Sequence, residues 1–360
     1  MAESADVDAG ALESFLAAEL DAAVTGIEVL HDGLNLSVAV ETDDDRYVLR
    51  RPTELRDTER FNDLRREYEL LERLDDTAVP APSPVLFCED ESVLDAPFFL
   101  TTYLDGSSVP LGSPLPERFR DPESRGAIAD RLIETLAEIH TLDVEQFEGV
   151  CDYESPLDEL EHAFDRLEEV KRTTGPEYPK LRSVGDWLRR NAPADHETAL
   201  VHGDYRPSNL LFVGTDRPEV GGVLDWETAM LADPLTELGY LLLRWRDDGD
   251  PSPPLDELER KYDDDVIEPL RDANAHGLAP FTNEPGSPTR QEMFARYEAE
   301  TGITVDDGSF YLAHAAFMLG TVWADLHRHR TEAGLESDLP AHAEYAAMLA
   351  ERHHRGEFSP

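Results

Sequence analysis

Between residues 200 and 227 the chain sets tight polar clusters between short apolar runs in an order that few folds can host. The first stretch reads Leu200-Val201-His202-Gly203-Asp204-Tyr205-Arg206-Pro207-Ser208-Asn209-Leu210-Leu211-Phe212, and the second Gly222-Val223-Leu224-Asp225-Trp226-Glu227. Leu200-Val201, Leu210 to Val213 and Val223-Leu224 have the length and composition of short buried strands, which would hold the polar side chains between them rigidly. An acidic residue in a tight loop can accept a hydroxyl proton, while an amide five residues on and a carboxylate at the next strand end offer the hard oxygens that Mg²⁺ takes beside phosphate groups. The spacing therefore points to phosphoryl transfer, with Asp204 as the base and Asn209 and Asp225 as metal ligands. A loop of ordinary turn formers would need His-Gly-Asp, Asn and a strand-terminal Asp to coincide in order and spacing.

Length and charge narrow the class. A chain of 360 residues can form one large or two modest domains with real cores. Acidic residues outnumber basic ones 78 to 32, a formal charge of −46 that would repel nucleic-acid backbones and anionic membranes. Lysine occurs only at Lys171, Lys180 and Lys261, so nearly all positive charge is arginine, a composition that reads as halophilic. Disorder is excluded as the meaning of the acidity, because 40% of residues are hydrophobic and their runs are periodic. Cys88 and Cys151 carry no metal-ligand spacing and imply no disulfide framework. The sequence starts without a basic, apolar leader, and no run approaches the roughly 20 apolar residues of a membrane span, so a cytoplasmic location is expected.

Along the chain, the spacing predicts a helix over Ala11 to Val24 ended by Thr25-Gly26. Strands are predicted at Ile27 to His31, Leu36 to Glu41 and Arg46 to Arg51, then a helix over Asp57 to Leu74. Pro80, Pro82 and Pro84 make a stiff connector before Val85 to Cys88 and the apolar Pro97 to Leu104. Beyond Gly106 the pattern is helical: Ile128 to His140, Leu181 to Asn191, Thr236 to Arg246, Asp256 to Ala273, Gln291 to Thr301 and Ser309 to Arg330. Asp247 to Pro254 and Leu278 to Pro288 read as surface loops.

The motif His-Gly-Asp-Tyr-Arg-Pro-Ser-Asn at 202–209, with Leu-Asp-Trp-Glu at 224–227, resembles the catalytic loop and metal motif of the aminoglycoside phosphotransferase and choline kinase-like family. The likeness extends to Leu136-Ala137-Glu138-Ile139-His140, to Ala232-Asp233-Pro234 and to Glu237-Leu238-Gly239. Within the family, Tyr47-Val48-Leu49-Arg50-Arg51-Pro52 and Arg66-Glu67-Tyr68 are most similar to the kinase domains found beside or fused to acyl-CoA dehydrogenases. The resemblance implies an α+β, bilobal, protein-kinase-like fold with a β-rich nucleotide lobe at 1–104 and a helical catalytic and acceptor lobe at 105–360. It implies ATP or GTP with Mg²⁺, a small-molecule hydroxyl acceptor, Asp204 as base, Asn209 and Asp225 on the metal, and His202 propping the loop. Arg50 would touch the α/β-phosphates with Glu67 as its ion partner; alternation along the strand puts Val48 and Arg50 on one face. Gly33 to Ser37 would cover the phosphates, and Thr102 to Leu104 would be the hinge against the base.

Three departures stand out. Arg50 replaces the usual lysine and its planar fork is not equivalent to an ammonium. The phosphate loop has the single Gly33, for which a plain turn glycine is the alternative. Asp225-Trp226-Glu227 replaces Asp-Phe-Gly, which argues against a protein kinase. A catalytically silent nucleotide-binding module would keep the same fold, but intact Asp204, Asn209 and Asp225 speak against it. The Arg50–Glu67 pair has a surface ion pair as its alternative. His140 and Asp233 read as structural, His327, His329, His353 and His354 as solvated surface histidines, and Trp245, Tyr311, His314 and Trp323 as helical core with an acceptor pocket as the alternative. The local likeness favours a hydroxyacyl or similar metabolic acceptor.

Overall fold

The protein is known here through a computed structural model, which describes residues 9–32, 35–53, 63–215 and 217–358. Helix α1 (Ala9–Leu20) precedes strands β1 (Val24–Asp32), β2 (Asn35–Thr42) and β3 (Arg46–Pro52). Helix α2 (Leu64–Leu74) follows, then β4 (Pro84–Cys88) and β5 (Phe98–Thr102). The strands form one antiparallel sheet in the order β1-β2-β3-β5-β4. Thr25 and Gly26, expected to break the first helix, lie inside β1, Gly26 pairing with Glu41 of β2 and Thr25 falling at a register shift, so the break falls earlier, at Asp21 with its φ of 52°.

Alternation along β3 and β5 decides which residues face the site. Leu49, Phe98 and Leu100 join Leu12 and Leu16 of α1 in a small core behind the sheet. Phe99 points the other way, into the large core with Leu70, Leu71 and Leu74 of α2. Arg50, one residue past Leu49, therefore emerges on the α2 side. Helix α2 is started by Asp63, whose side chain accepts the Arg66 N–H, and its buried stripe of Leu64, Glu67, Leu70, Leu71 and Leu74 carries one carboxylate.

The second lobe is built from α3 (Pro122–His140), α4 (Pro156–Thr174), α5 (Pro179–Asn191), α6 (Pro234–Leu242), α7 (Asp256–Glu259), α8 (Asp264–His276), α9 (Arg290–Thr301), α10 (Gly308–Glu332) and α11 (Leu339–His354). Two short hairpin-like pairs interrupt them: β6 (Ala199–Val201) with β9 (Met230–Ala232), and β7 (Leu210–Val213) with β8 (Glu219–Val223). Helix α10 is the axis, packing on α4, α5, α6 and α11. The kinase-like bilobal architecture expected from the sequence is present.

Several expectations need correction. The patterned region 256–273 is two helices, because Asp263 returns to an extended conformation and restarts the chain as the N-cap of α8. Helix α4 was not expected, although Ser155 and Asp158 form a capping box ahead of it and Gly175 ends it at φ 92°. Helix α11 was not expected either; its alanine-rich face, with Ala343, Ala346, Ala347 and Ala350 buried, is weak in hydrophobic contrast. The stretch Asp247 to Pro254 is not simply surface: Arg290, 1% exposed, reaches both Asp250 carboxylate oxygens at 2.7 and 2.6 Å. Phe281 and Thr282 within the second presumed loop are likewise buried. His353 is buried and stacks on Phe358 rather than meeting solvent.

Candidate active site

The loop between β6 and β7 and the turn after β8 converge, and a net of hydrogen bonds stitches them together. His202 Nδ1 accepts the Asp204 N–H at 3.2 Å, which leaves Nε2 to donate to the Leu224 carbonyl at 2.7 Å. Leu224 N–H in turn donates to the Asn209 carbonyl at 2.8 Å. Gly203 sits at φ +80°, and a Cβ there would lie 2.3 Å from the Thr228 carbonyl oxygen, so only glycine fits. Glu237 of α6, buried, takes the His202 and Gly203 amides at 2.9 and 2.6 Å and a third hydrogen bond from His140 Nε2 at 3.0 Å. Burial would raise this carboxyl, but His140 and His202 outweigh it and hold it below the ordinary range, so a fixed anion pins the loop.

Asp204 hangs from that loop with its side chain 25% exposed. Its Oδ1 accepts from Tyr240 Oη at 2.5 Å, Arg206 Nε spans both oxygens at 3.0 Å, and Asn209 Nδ2 donates to Oδ2 at 2.9 Å. Burial pushes the carboxyl up, yet the Arg206 charge, the Tyr240 hydroxyl and Arg244 more than offset it, so Asp204 lies below the usual carboxylate range and is ionised. Asn209, 3% exposed, points its amide nitrogen at Asp204 and so presents Oδ1 as its free acceptor. Asp225 takes the left-handed conformation, φ 64° and ψ 59°, which turns its half-exposed side chain out at the strand end. Burial raises Asp225 as well, and Arg50 outweighs it to leave the group lowered.

Arg50 is held by three carboxylates. Its Nε lies 2.9 Å from Glu67 Oε1, Nη1 donates to Asp225 Oδ1 at 2.5 Å, and Nη2 donates to Glu227 Oε2 at 2.6 Å. The expected pair with Glu67 is therefore formed and is no surface pair, since the side chains are 12% and 2% exposed. Asn35 also hydrogen-bonds Glu227. Ser37 sits opposite Arg50 in the β2–β3 register, and Gly33 lies outside the described residues. Thr102 is bonded to Ser83 through backbone and side chain, and Leu104 packs on Gly222, where a Cβ would come within 2.8 Å of its Cδ1. Leu104 thus lies against the strand that leads to Asp225, and Thr102 stays in the five-stranded sheet opposite Tyr47.

Four partners of the site escaped the sequence reading: Arg206, Tyr240, Glu227 and Glu237. Arg206, Glu227 and Glu237 were inside the quoted motifs without a role of their own, and Tyr240 lies three residues beyond Glu237, one turn along the helix that faces the loop. No group of three or more His, Cys, Asp or Glu side chains placed to hold a metal occurs among the described residues. The donor set nonetheless fits Mg²⁺, which takes one or two protein oxygens and completes its shell with water and phosphate. Asn209 Oδ1 and Asp225 Oδ2 are hard oxygens left over after the bonds to Asp204 and Arg50.

On the far side of the loop lies a cavity of about 660 Å³. Gly203, Thr228 and Tyr240 form its catalytic-loop wall, and α4 and α10 the others. His314, read as core, is both 1% exposed and part of this lining, whereas Trp245 and Tyr311 are core residues.

A five-stranded antiparallel lobe over a helical one, with an Asp-bearing loop meeting a strand-terminal Asp, defines a kinase-like phosphotransferase. Residues 25–272 match the phosphotransferase enzyme family (APH), and the chain belongs to that family. A Ralstonia eutropha crystal structure assigned to the aminoglycoside phosphotransferases superposes with a TM-score of 0.75 at 24% identity, over 97% of this chain and 98% of that one. An aminoglycoside phosphotransferase solved with ADP and hygromycin B gives 0.60 at 16% identity, over 95% and 98%. Among curated relatives, acyl-CoA dehydrogenase family member 10 of Mus musculus is 27% identical over 88% of this chain and 28% of its own length. The chain spans about a quarter of the curated relatives it matches. The described residues hold no helix long and apolar enough to cross a membrane.

Proposed function

We propose that the protein transfers the γ-phosphate of ATP or GTP to a hydroxyl of a small molecule in the cytoplasm, binding nucleotide between a lobe at 1–104 and a lobe at 105–360. The observation that carries this reading is the position of Asp204, ionised and bonded on one side to Tyr240 of the cavity wall and on the other to Asn209, which is tied to the strand ending in Asp225. Three donors hold Asp204 through four hydrogen bonds, Arg206 Nε being shared between its two oxygens, so an entering hydroxyl takes over one half of that shared bond. Asp204 accepts that proton as the acceptor oxygen bonds to the γ-phosphorus and the bridge to the β-phosphate breaks, releasing the nucleoside diphosphate.

Arg206 and Tyr240 keep the base oriented while the reaction proceeds. Arg50 exchanges Asp225 and Glu227 for α/β-phosphate oxygens, and Glu67 retains its Nε. Ser37, with Gly33, covers the phosphates, and Thr102 and Leu104 border the base. Mg²⁺, when bound, would be held by Asn209 and Asp225 and would neutralise the charge on the phosphate oxygens. A structural relative that carries ADP and an aminoglycoside supports a nucleotide and a small hydroxylated acceptor. A hydroxyacyl or similar metabolite is the acceptor that the acyl-CoA dehydrogenase relatives favour. Labelled ATP and GTP, offered with a panel of small hydroxylated metabolites in high-salt buffer with and without EDTA, test the reading. Labelled product that vanishes with EDTA is expected, and Mg·nucleotide binding without transfer to any acceptor would instead mark a silent nucleotide-binding module.

A further inference from the structure

The cavity behind the catalytic loop holds two polar groups that phosphoryl transfer does not use. Glu159, in the first turn of α4, is 9% exposed, and His314, in the second turn of α10, is 1% exposed. Both line the space that Gly203 and Tyr240 also line, and His314 Nε2 stands 3.9 Å from Glu159 Oε2. Neither Glu159 Oε1 nor His314 Nε2 finds a hydrogen-bond partner among the described residues. Buried polar atoms without partners cost stability, and a pair of them in a ligand-sized cavity is a recognition feature that the empty protein leaves unsatisfied.

The surroundings decide what such a pair accepts. The amides of a helix N-terminus favour an anion, yet burial pushes Glu159 up to about 8, with Glu154, Asp233 and Glu237 adding to it and only Arg166 opposing. Burial also drives His314 down to about 4. Asp233 already accepts from the Leu235 amide and the Tyr311 hydroxyl, and Glu237 from His140 and the loop amides. At this pair the wall thus presents one carboxylic acid and one neutral imidazole side by side, with Glu154, Asp165, Glu169 and Asp325 elsewhere in the lining beside Arg166 and Arg328.

We infer that Glu159 and His314 together bind an uncharged hydrogen-bonding group of the acceptor, a hydroxyl or an amide, and so select which acceptors the cavity takes; this rests on the phosphotransfer reading for the cavity's role. An O–H donor beside an imidazole nitrogen matches a group that both gives and accepts a hydrogen bond. A group that accepts the Glu159 O–H hydrogen bond favours the protonated acid further, so binding is tightest with the acid protonated and weakens as pH climbs past about 8. An ammonium would reverse that sign.

The test is calorimetric titration of a series of ω-hydroxyalkanamides, with the matching amino alcohols and hydroxy acids, into the wild type, Glu159→Gln and Glu159→Leu. The amides should bind about tenfold more tightly than either charged series, and Glu159→Leu should lose about that factor. Glu159→Gln, a neutral near-isostere, should stay within about threefold of the wild type and lose the weakening above pH 8. Tighter binding of the amino alcohols with affinity rising with pH, or equal or undetectable affinity across the three series, overturns the inference. Because binding is read without turnover, failure of Mg·ATP to phosphorylate any bound probe counts against the phosphotransfer reading alone.

Discussion

The grouping of Asp204, proposed as the base, with His202 and Asn209 was legible in the sequence because all three lie in a loop of eight residues. Not legible there are the charges of Arg206 and Arg244 and the Tyr240 hydrogen bond that surround Asp204, since Tyr240 and Arg244 reach the loop only through the folding of α6 and the residues just after it. That surrounding charge sets a pH dependence. A carboxyl whose pKa is depressed in the folded protein does its work above that value and loses it as pH falls through it. The acid limb of kcat/KM should therefore lie below the ordinary aspartate value of about 3.9, with no inflection between pH 5 and pH 7 from this group. A pH–rate profile at saturating Mg²⁺ that inflects near neutrality would assign the base elsewhere. His202 shows the other limit of residue-scale reading: its propping role was implied by likeness, but its two hydrogen-bond partners fix the tautomer, which no sequence states.

Elements were readable where a period or a cap was strong. Strands β2 and β3 and helix α2 alternate or repeat clearly, and from them the meeting of Arg50 and Glu67 could be anticipated. Asp225 and Glu227 as further partners of Arg50 could not, because they arrive from β8 in the other lobe. The four-way ion cluster makes a stability prediction. Replacing Arg50 by methionine leaves Glu67, 2% exposed, without its cation, and should cost about 3–5 kcal/mol. The double variant Arg50→Met with Glu67→Leu removes both charges and should recover most of that loss, as read from urea midpoints in high salt. If the single variant unfolds at the wild-type midpoint, the buried Glu67 does not depend on Arg50 for its stability. Helices α4 and α11 were missed for different reasons. The cap of α4 was present and unread, while the alanine-rich face of α11 gains its burial from α10 rather than from its own contrast.

At the scale of the molecule, composition foretold a sheet-rich start and a helical remainder, and the change of pattern near residue 105 falls just after β5 ends at Thr102. Of the cavity lining only His314 is a candidate for an acceptor pocket from sequence; the rest was not legible because α4, α6 and α10 contribute to it from segments scattered across the chain. A formal charge of −46 should also make the fold salt-dependent. Raising salt from about 0.1 M to about 1 M shortens screening from about 10 Å to about 3 Å, so the melting temperature should rise over that range. A melting temperature that falls would contradict halophilic adaptation as the meaning of the acidity. In the proposed reaction Asp204 takes the proton of the acceptor hydroxyl while the nucleotide γ-phosphate moves to that oxygen. The most direct measurement of that step compares ATP-dependent phosphate transfer by the wild type and Asp204→Asn on the hydroxylated panel, in high salt with Mg²⁺, at matched nucleotide occupancy. The account predicts product from the wild type and a loss of about 10²–10⁴-fold in kcat for the variant with nucleotide binding retained. Transfer at an undiminished rate by Asp204→Asn would contradict it.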